Sequence, residues 1–167
     1  MEFDWIALAV AVSLCVAVAA LEGAITPDAV KTWYPTLNKP WWNLPFAAFV
    51  AVAFVVYLID GFVAYRLWAC ATLPGSRTIG LTALVVVMVF NALWNYALFA
   101  TRNTLVGWLG LLAFLAPLVL LQVALFVYDA LAAWAHLVYF AWVVGYDVPL
   151  FYRIWRLNPP SDRLETG

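Results

Sequence analysis

The sequence predicts an all-α integral membrane protein, with five transmembrane helices in one bundle and a long first loop over its cytoplasmic end. Of the 167 residues, 68% are hydrophobic and only 10% are charged, whereas about a quarter of a soluble domain is charged. So few charges cannot cover a water-facing surface, which excludes a soluble globular enzyme and a disordered tail. The apolar runs are also long enough to cross about 30 Å of hydrocarbon. The predicted spans are residues 5–25, 45–70, 78–99, 104–128 and 131–155.

The connections between these spans indicate a single domain over residues 1–167. Three connections are short, and Leu73-Pro74-Gly75-Ser76 is typical of a turn, so the helices joined by them are expected to be antiparallel neighbours. The connection at residues 26–44 is long and carries three prolines and four large aromatic residues. Long loops are usually functional or disordered, and the aromatic residues favour packing over one end of the bundle.

The basic residues predict an orientation. Cytoplasmic loops carry an excess of Lys and Arg, and an external N-terminus puts six of the eight basic residues on the cytoplasmic side. These six are Lys31, Lys39, Arg102, Arg153, Arg156 and Arg163, against Arg66 and Arg77 on the other side. We therefore expect an external N-terminus and a cytoplasmic C-terminus. The first apolar stretch follows an acidic segment rather than the basic one of a cleavable signal, so it is expected to stay as a helix. The absence of a targeting segment favours a prokaryotic inner membrane.

The composition and spacing of the reactive residues predict neither a nucleic-acid partner nor a catalytic site. The net charge is −1, so no basic surface attracts nucleic acid. Cys15 and Cys70 match no metal or redox spacing and are expected to be small buried hydrophobes. The only histidine, His136, is expected to pack at the interface rather than to ligate haem. No metal-ligand cluster, catalytic set or required cofactor is expected.

The third span carries two amides that need partners. Asn91, Trp94 and Asn95 are spaced i, i+3 and i+4, so they share one helix face. An unpaired amide in hydrocarbon costs several kcal/mol, which predicts that both amides point into the bundle. Two interpretations remain open: a polar grip on a ligand, or hydrogen bonds that join helices.

Two carboxylates lie within predicted spans. A carboxylate in the membrane costs about 2.5–3.5 kcal/mol on insertion scales and indicates a function by default, so Asp60 and Asp147 are candidate proton or ligand sites. The structural alternatives are an ion pair of Asp60 with Arg66 on the same helix or with a neighbouring helix, and an interfacial position of Asp147 near Arg153. Glu22, close to the end of the first span, is expected to be interfacial.

The last span carries aromatic residues on one face. Tyr139, Trp142 and Tyr146 could form a ligand wall with phenol and indole donors, and core packing is the alternative. Further along, the span fits a loose sterol-binding pattern that is frequent by chance, and an interfacial anchor is the preferred interpretation. The members of that pattern are Leu150, Tyr152 and Arg156.

The long loop carries the most specific motif in the chain. It reads Trp33-Tyr34-Pro35-Thr36-Leu37-Asn38-Lys39-Pro40-Trp41-Trp42-Asn43-Leu44-Pro45. This resembles the signature of the tryptophan-rich sensory protein and translocator protein (TspO/MBR) family, also called the peripheral-type benzodiazepine receptor family. The segments 91–94 and 139–142 resemble that family's Asn-x-x-Trp and Tyr-x-x-Trp motifs. The family's pocket tryptophan of the second helix falls on Ala53, which indicates a divergent member.

The resemblance implies a membrane binding protein, sensory or transporting, with a pocket for flat hydrophobic ligands inside the bundle. The implied ligands are porphyrins, haem-type and other tetrapyrroles, sterols and benzodiazepine-like drugs, beside membrane lipid as the surrounding partner. Lys39 would meet an anionic group such as a propionate. The expected ligand-binding residues are Trp33, Tyr34, Lys39, Pro40, Trp41, Trp42, Tyr57, Asn91, Trp94, Asn95, Tyr139, Trp142, Tyr146 and Asp147.

Two other functions and a homodimer remain open. A porphyrin-degrading enzyme would use the pocket tryptophan Trp142, and Ala53 weakens this alternative. A small proton-linked transporter would use Asp60 or Asp147. A ridge of small residues at i+4 steps on the first span predicts close helix packing within the bundle, or a dimer face. The ridge consists of Ala7, Ala11, Cys15, Ala19 and Gly23.

Overall fold

The computed structural model describes residues 3–159, and Arg163 lies outside them. The helices are α1 (Trp5–Ile25), α2 (Ala29–Thr32), α3 (Phe46–Ala69), α4 (Ser76–Thr101), α5 (Thr104–Tyr128), α6 (Ala130–Trp142) and α7 (Val148–Leu157). A wide π-helical turn, Val143–Asp147, joins α6 to α7, so that Ala130–Leu157 forms one span. Within the described residues, five such helices are long and apolar enough to cross a membrane. The predicted all-helical membrane fold is confirmed.

Local side-chain chemistry fixes where the helices begin and end. Asp4, Asn103 and Asp129 accept hydrogen bonds from the first free N–H groups of α1, α5 and α6, as N-cap residues do. Gly75 precedes α4 with a φ of 77°, a left-handed conformation that glycine adopts without strain. Arg102 ends the same helix with a φ of 49°. The connection to α5 therefore turns back within two residues of the end of α4.

The spanning helices pack as a closed ring. Around the bundle the order is α1, α3, α6 with α7, α5 and α4, and α4 packs against α1 to close it. The sequential pairs α4–α5 and α5–α6 are neighbours, as the short connections predict, whereas α3 and α4, which a short connection also joins, are in contact without being adjacent in the ring. The ring brings α1 next to α4, which places the end of α1 opposite the amides of the third span.

The wide turn in the last span accommodates Pro149. Proline has no N–H to donate and its ring clashes with the preceding turn. Here the N–H of Val148 bonds to the carbonyl of Val143, five residues back, and α7 begins with Pro149 in its first turn. In a turn of this width, Trp142 and Asp147 come onto the same side of the helix.

At the end of the bundle away from the long loop, Arg66 pairs with Asp129. The Nε and Nη2 atoms of Arg66 both donate to Asp129 Oδ2, at 3.0 and 2.7 Å. This bond ties the last turns of α3 to the start of α6. The alternative ion pair between Arg66 and Asp60 is therefore wrong. Within residues 3–159, Asp147 forms no ion pair with Arg153 either.

His136 lies in the core rather than at the interface. Its side chain is fully buried, and Nδ1 lies 2.8 Å from Oε1 of Gln122 on α5. The Gln122 amide also donates to the carbonyl of Ala133. The expectation of interfacial packing is wrong because this buried glutamine satisfies one ring nitrogen within the bundle.

The long loop covers the end of the bundle and contains α2 and a 3-10 turn, Tyr34–Thr36. Trp33 and Tyr34 pack edge-on against Phe99 of α4, and Trp42 packs against Tyr146. Trp41 departs from the expected packing of the loop aromatics, since 95% of its side chain is exposed. The loop is thus docked through three of its four large aromatic residues.

The small-residue ridge of α1 is divided between two environments. Ala7 and Ala11 are buried, and the thiol of Cys15 donates to the backbone carbonyl of Tyr57 on α3 at 3.5 Å. Ala19 and Gly23 are exposed. The first three residues therefore serve packing within the bundle.

Candidate ligand-binding site

The ring of helices encloses a cavity of about 260 Å³ under the long loop. Ligand pockets usually measure about 300–1,000 Å³ and combine apolar walls with a few polar groups. Every span contributes to its lining, as do α2 and the 3-10 turn. The lining residues are Glu22, Val30, Tyr34, Phe46, Phe49, Val50, Val52, Ala53, Val56, Tyr57, Asp60, Met88, Asn91, Trp94, Asn95, Phe99, Leu111, Phe114, Tyr139, Trp142, Val143, Asp147 and Phe151.

Glu22 is the residue that α1 contributes to the cavity lining. Its Oε2 accepts from the Tyr57 hydroxyl at 2.7 Å. Its Oε1 accepts from the side-chain amides of Asn95 at 2.6 Å and Asn91 at 3.3 Å. The expectation that Glu22 is interfacial is therefore wrong: its carboxylate lies in the bundle and joins α1 to α3 and α4.

This cluster supports the helix-joining interpretation of the two amides, although both also line the cavity. Trp94 shares their face, as the spacing predicts, and its indole N–H donates to the backbone carbonyl of Gly107 on α5 at 2.7 Å. The ring of Trp94 packs edge-on against Phe151. Glu22 could have been found from the sequence, because two amides in hydrocarbon need acceptors and few residues in the other spans can supply one.

Asp60 is more deeply buried in the protein than Glu22. It is placed halfway along α3, and only 3% of its surface is exposed. Its Oδ1 atom has no hydrogen-bond partner among the described residues. A carboxylate within a membrane helix is costly unless it is paired, and this buried oxygen is an acceptor left without a hydrogen bond in a residue that lines the cavity.

Aromatic side chains of the last span form the opposite wall. Tyr139 is buried and Trp142 is partly buried, and both line the cavity. The ring of Trp142 lies 4.5 Å from that of Tyr146, tilted by 31°. The Tyr146 hydroxyl accepts the backbone N–H of Leu44 at 2.9 Å. Tyr146 thus joins the loop to this wall without lining the cavity.

The long loop contributes Tyr34 to the cavity and keeps Lys39 outside the lining. Burial raises the pKa of the Tyr34 phenol, and the neighbouring Tyr146 and Asp147 add to the rise. This phenol therefore stays protonated. Lys39 Nζ donates to the carbonyls of Pro35 and Leu37 and lies 4.7 Å from the centre of the Tyr34 ring. Desolvation lowers the pKa of Lys39.

The cavity reaches the membrane-facing surface along α3. Phe46, Val50 and Ala53 line it and are also exposed. A second, shallower groove of about 300 Å³ runs between α3 and α6 and shares Tyr139 and Trp142 with the cavity wall. The small side chain of Ala53 leaves this side of the cavity open.

The structure separates the predicted site residues into two sets. Those that line the cavity are Tyr34, Tyr57, Asn91, Trp94, Asn95, Tyr139, Trp142 and Asp147. Those that do not line it are Trp33, Lys39, Pro40, Trp41, Trp42 and Tyr146. Trp33, Trp42 and Tyr146 dock the loop instead. Asp60, a candidate proton site, lies on the wall, and Glu22 is a polar lining residue that the sequence interpretation missed.

The members of the sterol pattern face different surroundings. Leu150 is fully buried in the core, whereas Tyr152 is exposed. Tyr152 and Trp155 pack against Trp108 of α5, and Arg156 lies 6.0 Å from the centre of the Trp155 ring. This arrangement fits the preferred interpretation of an aromatic and arginine anchor at the membrane surface.

Comparison with known proteins places the chain in a family. The model of the TspO/MBR family matches residues 11–156. The tryptophan-rich protein TspO of Chlorobaculum tepidum is 24% identical over 159 residues, 95% of this chain and 100% of that protein. The tryptophan-rich sensory protein of Cereibacter sphaeroides is 27% identical over 155 residues, 93% of this chain and 85% of that protein. This chain is therefore a divergent, multi-pass membrane member of the TspO/MBR family.

Proposed function

We propose that this chain is a membrane sensory or transport protein that holds a flat hydrophobic ligand inside its helix bundle. The observation that carries the proposal is the cavity itself. Its walls are largely apolar and aromatic, and a few polar groups lie at defined positions, which is the usual composition of a small-molecule site. The name of the Cereibacter sphaeroides relative supports a sensory role.

The ligand class that we propose first is a tetrapyrrole such as a porphyrin or haem, held as a ligand and not as a required cofactor. The rings of Trp142 and Tyr139 offer flat surface on one wall, and Phe49 offers it on α3. Contacts between aromatic rings contribute about 0.5–1.5 kcal/mol beyond the buried area. Sterols and benzodiazepine-like drugs are the next candidates, because they are also flat and apolar.

Titration with protoporphyrin IX tests this proposal. We expect saturable quenching of tryptophan fluorescence, and a shift of the porphyrin absorbance, in detergent-purified protein. Trp142→Phe removes part of the aromatic wall and should weaken binding about tenfold, close to 1.4 kcal/mol. Trp41→Phe is the matched control, since Trp41 is exposed and lies outside the cavity lining.

Each outcome of that titration leads to a different interpretation. Saturable binding that Trp142→Phe weakens and Trp41→Phe does not would support the cavity as the site. Equal effects of both variants, or quenching without saturation, would contradict it and move the search to sterols. Illumination of a saturated complex then tests the porphyrin-degrading alternative, since loss of porphyrin absorbance should depend on Trp142.

We also propose an external N-terminus, a cytoplasmic C-terminus and a prokaryotic inner membrane. The distribution of basic residues supports this orientation, and the relatives named above are bacterial. A homodimer stays a prediction. Its first candidate surface is the exposed end of the small-residue ridge, at Ala19 and Gly23, where two helices can approach closely.

A further inference from the structure

We propose that the cavity selects flat ligands that carry a protonated nitrogen, and that Asp60 is the group which pairs with it. This inference rests on the proposed function, since it names the chemical class of ligand for the same cavity. It follows from the charges on the wall and from the hydrogen bonds that those charges already make.

The charged lining of the cavity is entirely acidic within the described part of the chain. Glu22, Asp60 and Asp147 line it, and no Lys, Arg or His does. Two basic residues on the lining elements are engaged elsewhere: Arg66 of α3 pairs with Asp129, and Lys39 of the long loop donates to loop carbonyls. A ligand carboxylate would therefore meet repulsion against this wall, so the propionates of a porphyrin are expected to lie outside the cavity.

The three carboxylates differ in how far the protein already satisfies them. Glu22 accepts hydrogen bonds from Tyr57, Asn91 and Asn95. Asp147 is only partly buried, whereas Asp60 is buried. Asp60 is the most buried of the three, and its Oδ1 atom has no partner within residues 3–159. Of these three groups, Asp60 is the one with a fully buried acceptor that has no partner.

The burial of Asp60 should make a cationic ligand bind more tightly than a neutral ligand of the same shape. The carboxylate is 3% exposed and lies halfway along a membrane helix, so water can satisfy it only poorly. A protonated nitrogen supplies both the missing donor and the opposite charge, and hydrogen bonds to charged groups are the stronger ones. Tyr139 and Trp142 line the same cavity, and their ring faces also attract cations.

Three ring systems of one shape test the inference. At pH 7, 9-aminoacridine is a cation, anthracene is neutral and anthracene-9-carboxylate is an anion. We expect 9-aminoacridine to bind the protein in non-ionic detergent at least about tenfold more tightly than anthracene, and the anion to bind most weakly. Binding is measured as saturable quenching of tryptophan fluorescence, with displacement of one ring by another as the check on a shared site.

Asp60→Asn assigns the selectivity to one residue. This variant keeps the size of the side chain and should lose most of the preference for 9-aminoacridine, while anthracene binds as before. Unchanged anthracene binding also shows that the cavity of the variant has formed. Asp28→Asn is the control, because Asp28 is an exposed loop carboxylate outside the lining.

The other outcomes overturn one proposal or both. Equal affinities of the cation and the neutral ring in the unaltered protein would contradict the inference and leave the cavity as a site for flat ligands. A preference that survives Asp60→Asn would contradict the role of Asp60. Failure of all three rings, together with failure of protoporphyrin IX, would overturn the proposed function as well. If Asp60→Asn does not fold, the ranking of the three rings on the unaltered protein decides whether the cavity prefers a cation.

Discussion

Glu22 illustrates how one polar residue holds three membrane helices together. Its carboxylate accepts from Tyr57 on α3 and from Asn91 and Asn95 on α4. In hydrocarbon these donors have few other partners. The residue therefore shapes the cavity wall and contributes to the stability of the bundle.

Removing this carboxylate should destabilise the protein measurably. Hydrogen bonds between membrane helices contribute about 0.6 kcal/mol each on average, so Glu22→Ala should lower the free energy of unfolding by about 2 kcal/mol. Glu22→Gln keeps one acceptor oxygen and should lose about half as much. Unfolding by sodium dodecyl sulfate in mixed micelles, followed by circular dichroism, measures both. Asp28→Ala is the control, and a Glu22→Ala effect no larger than that of the control would contradict the prediction.

For single residues, the sequence predicts the helix face on which a side chain lies better than it predicts the hydrogen-bonding partner of that side chain. The shared face of Asn91, Trp94 and Asn95 follows from the helical period and is confirmed. The bond to Glu22 depends on the vertical register of α1 against α4, which no local pattern contains. For the same reason, the burial of His136 was missed: its partner, Gln122, lies on another helix.

At the scale of elements, Asn158 fixes the long loop to the end of α7. Its Oδ1 accepts the backbone N–H of Asn38 at 2.9 Å, and its Nδ2 donates to the Asn38 carbonyl at 2.8 Å. Together with Trp42 on Tyr146, this pairing holds the loop over the cavity, where Tyr34 contributes to the lining.

Asn158→Ala should therefore release the loop. Two lost hydrogen bonds of about 1 kcal/mol each raise the open population of the loop about thirtyfold. Hydrogen–deuterium exchange of residues 33–44, followed by mass spectrometry, should speed up accordingly, with little change in α3 to α5. Thr101→Ala is the control, because that hydroxyl bonds only within its own helix, to the Ala97 carbonyl. Unchanged loop exchange in Asn158→Ala would show that the aromatic contacts alone hold the loop.

The spans are the elements that the sequence predicts best. Each apolar run must match the thickness of the membrane, so the predicted second span, 45–70, differs from Phe46–Ala69 by one residue at each end. The wide turn at Val143–Asp147 is harder to predict. Pro149 indicates an irregularity, but a kink and a wide turn both relieve its missing hydrogen bond. Tertiary packing selects between them.

For the whole molecule, the closed order of the helices creates the cavity. The helices α1 and α3 are neighbours, but the connection between them is the long loop, which covers the enclosed space. Composition and span lengths predict a five-helix bundle, but they do not determine which helices become neighbours. The cavity, with Glu22 and Asp60 on its wall, follows only from that order.

The orientation of the whole bundle can be tested at two exposed positions on opposite ends. Trp41 lies in the long loop and is 95% exposed, and Leu73 lies in the turn before α4 and is 49% exposed. In a protein with Cys15 and Cys70 replaced by serine, we expect a membrane-impermeant maleimide to label Leu73→Cys in intact spheroplasts, and Trp41→Cys only after lysis. The physical reason is that the long loop carries Lys31 and Lys39, and basic segments stay on the cytoplasmic side. The reverse labelling would place the loop-covered end of the bundle outside the cell, where the loop would meet external ligands.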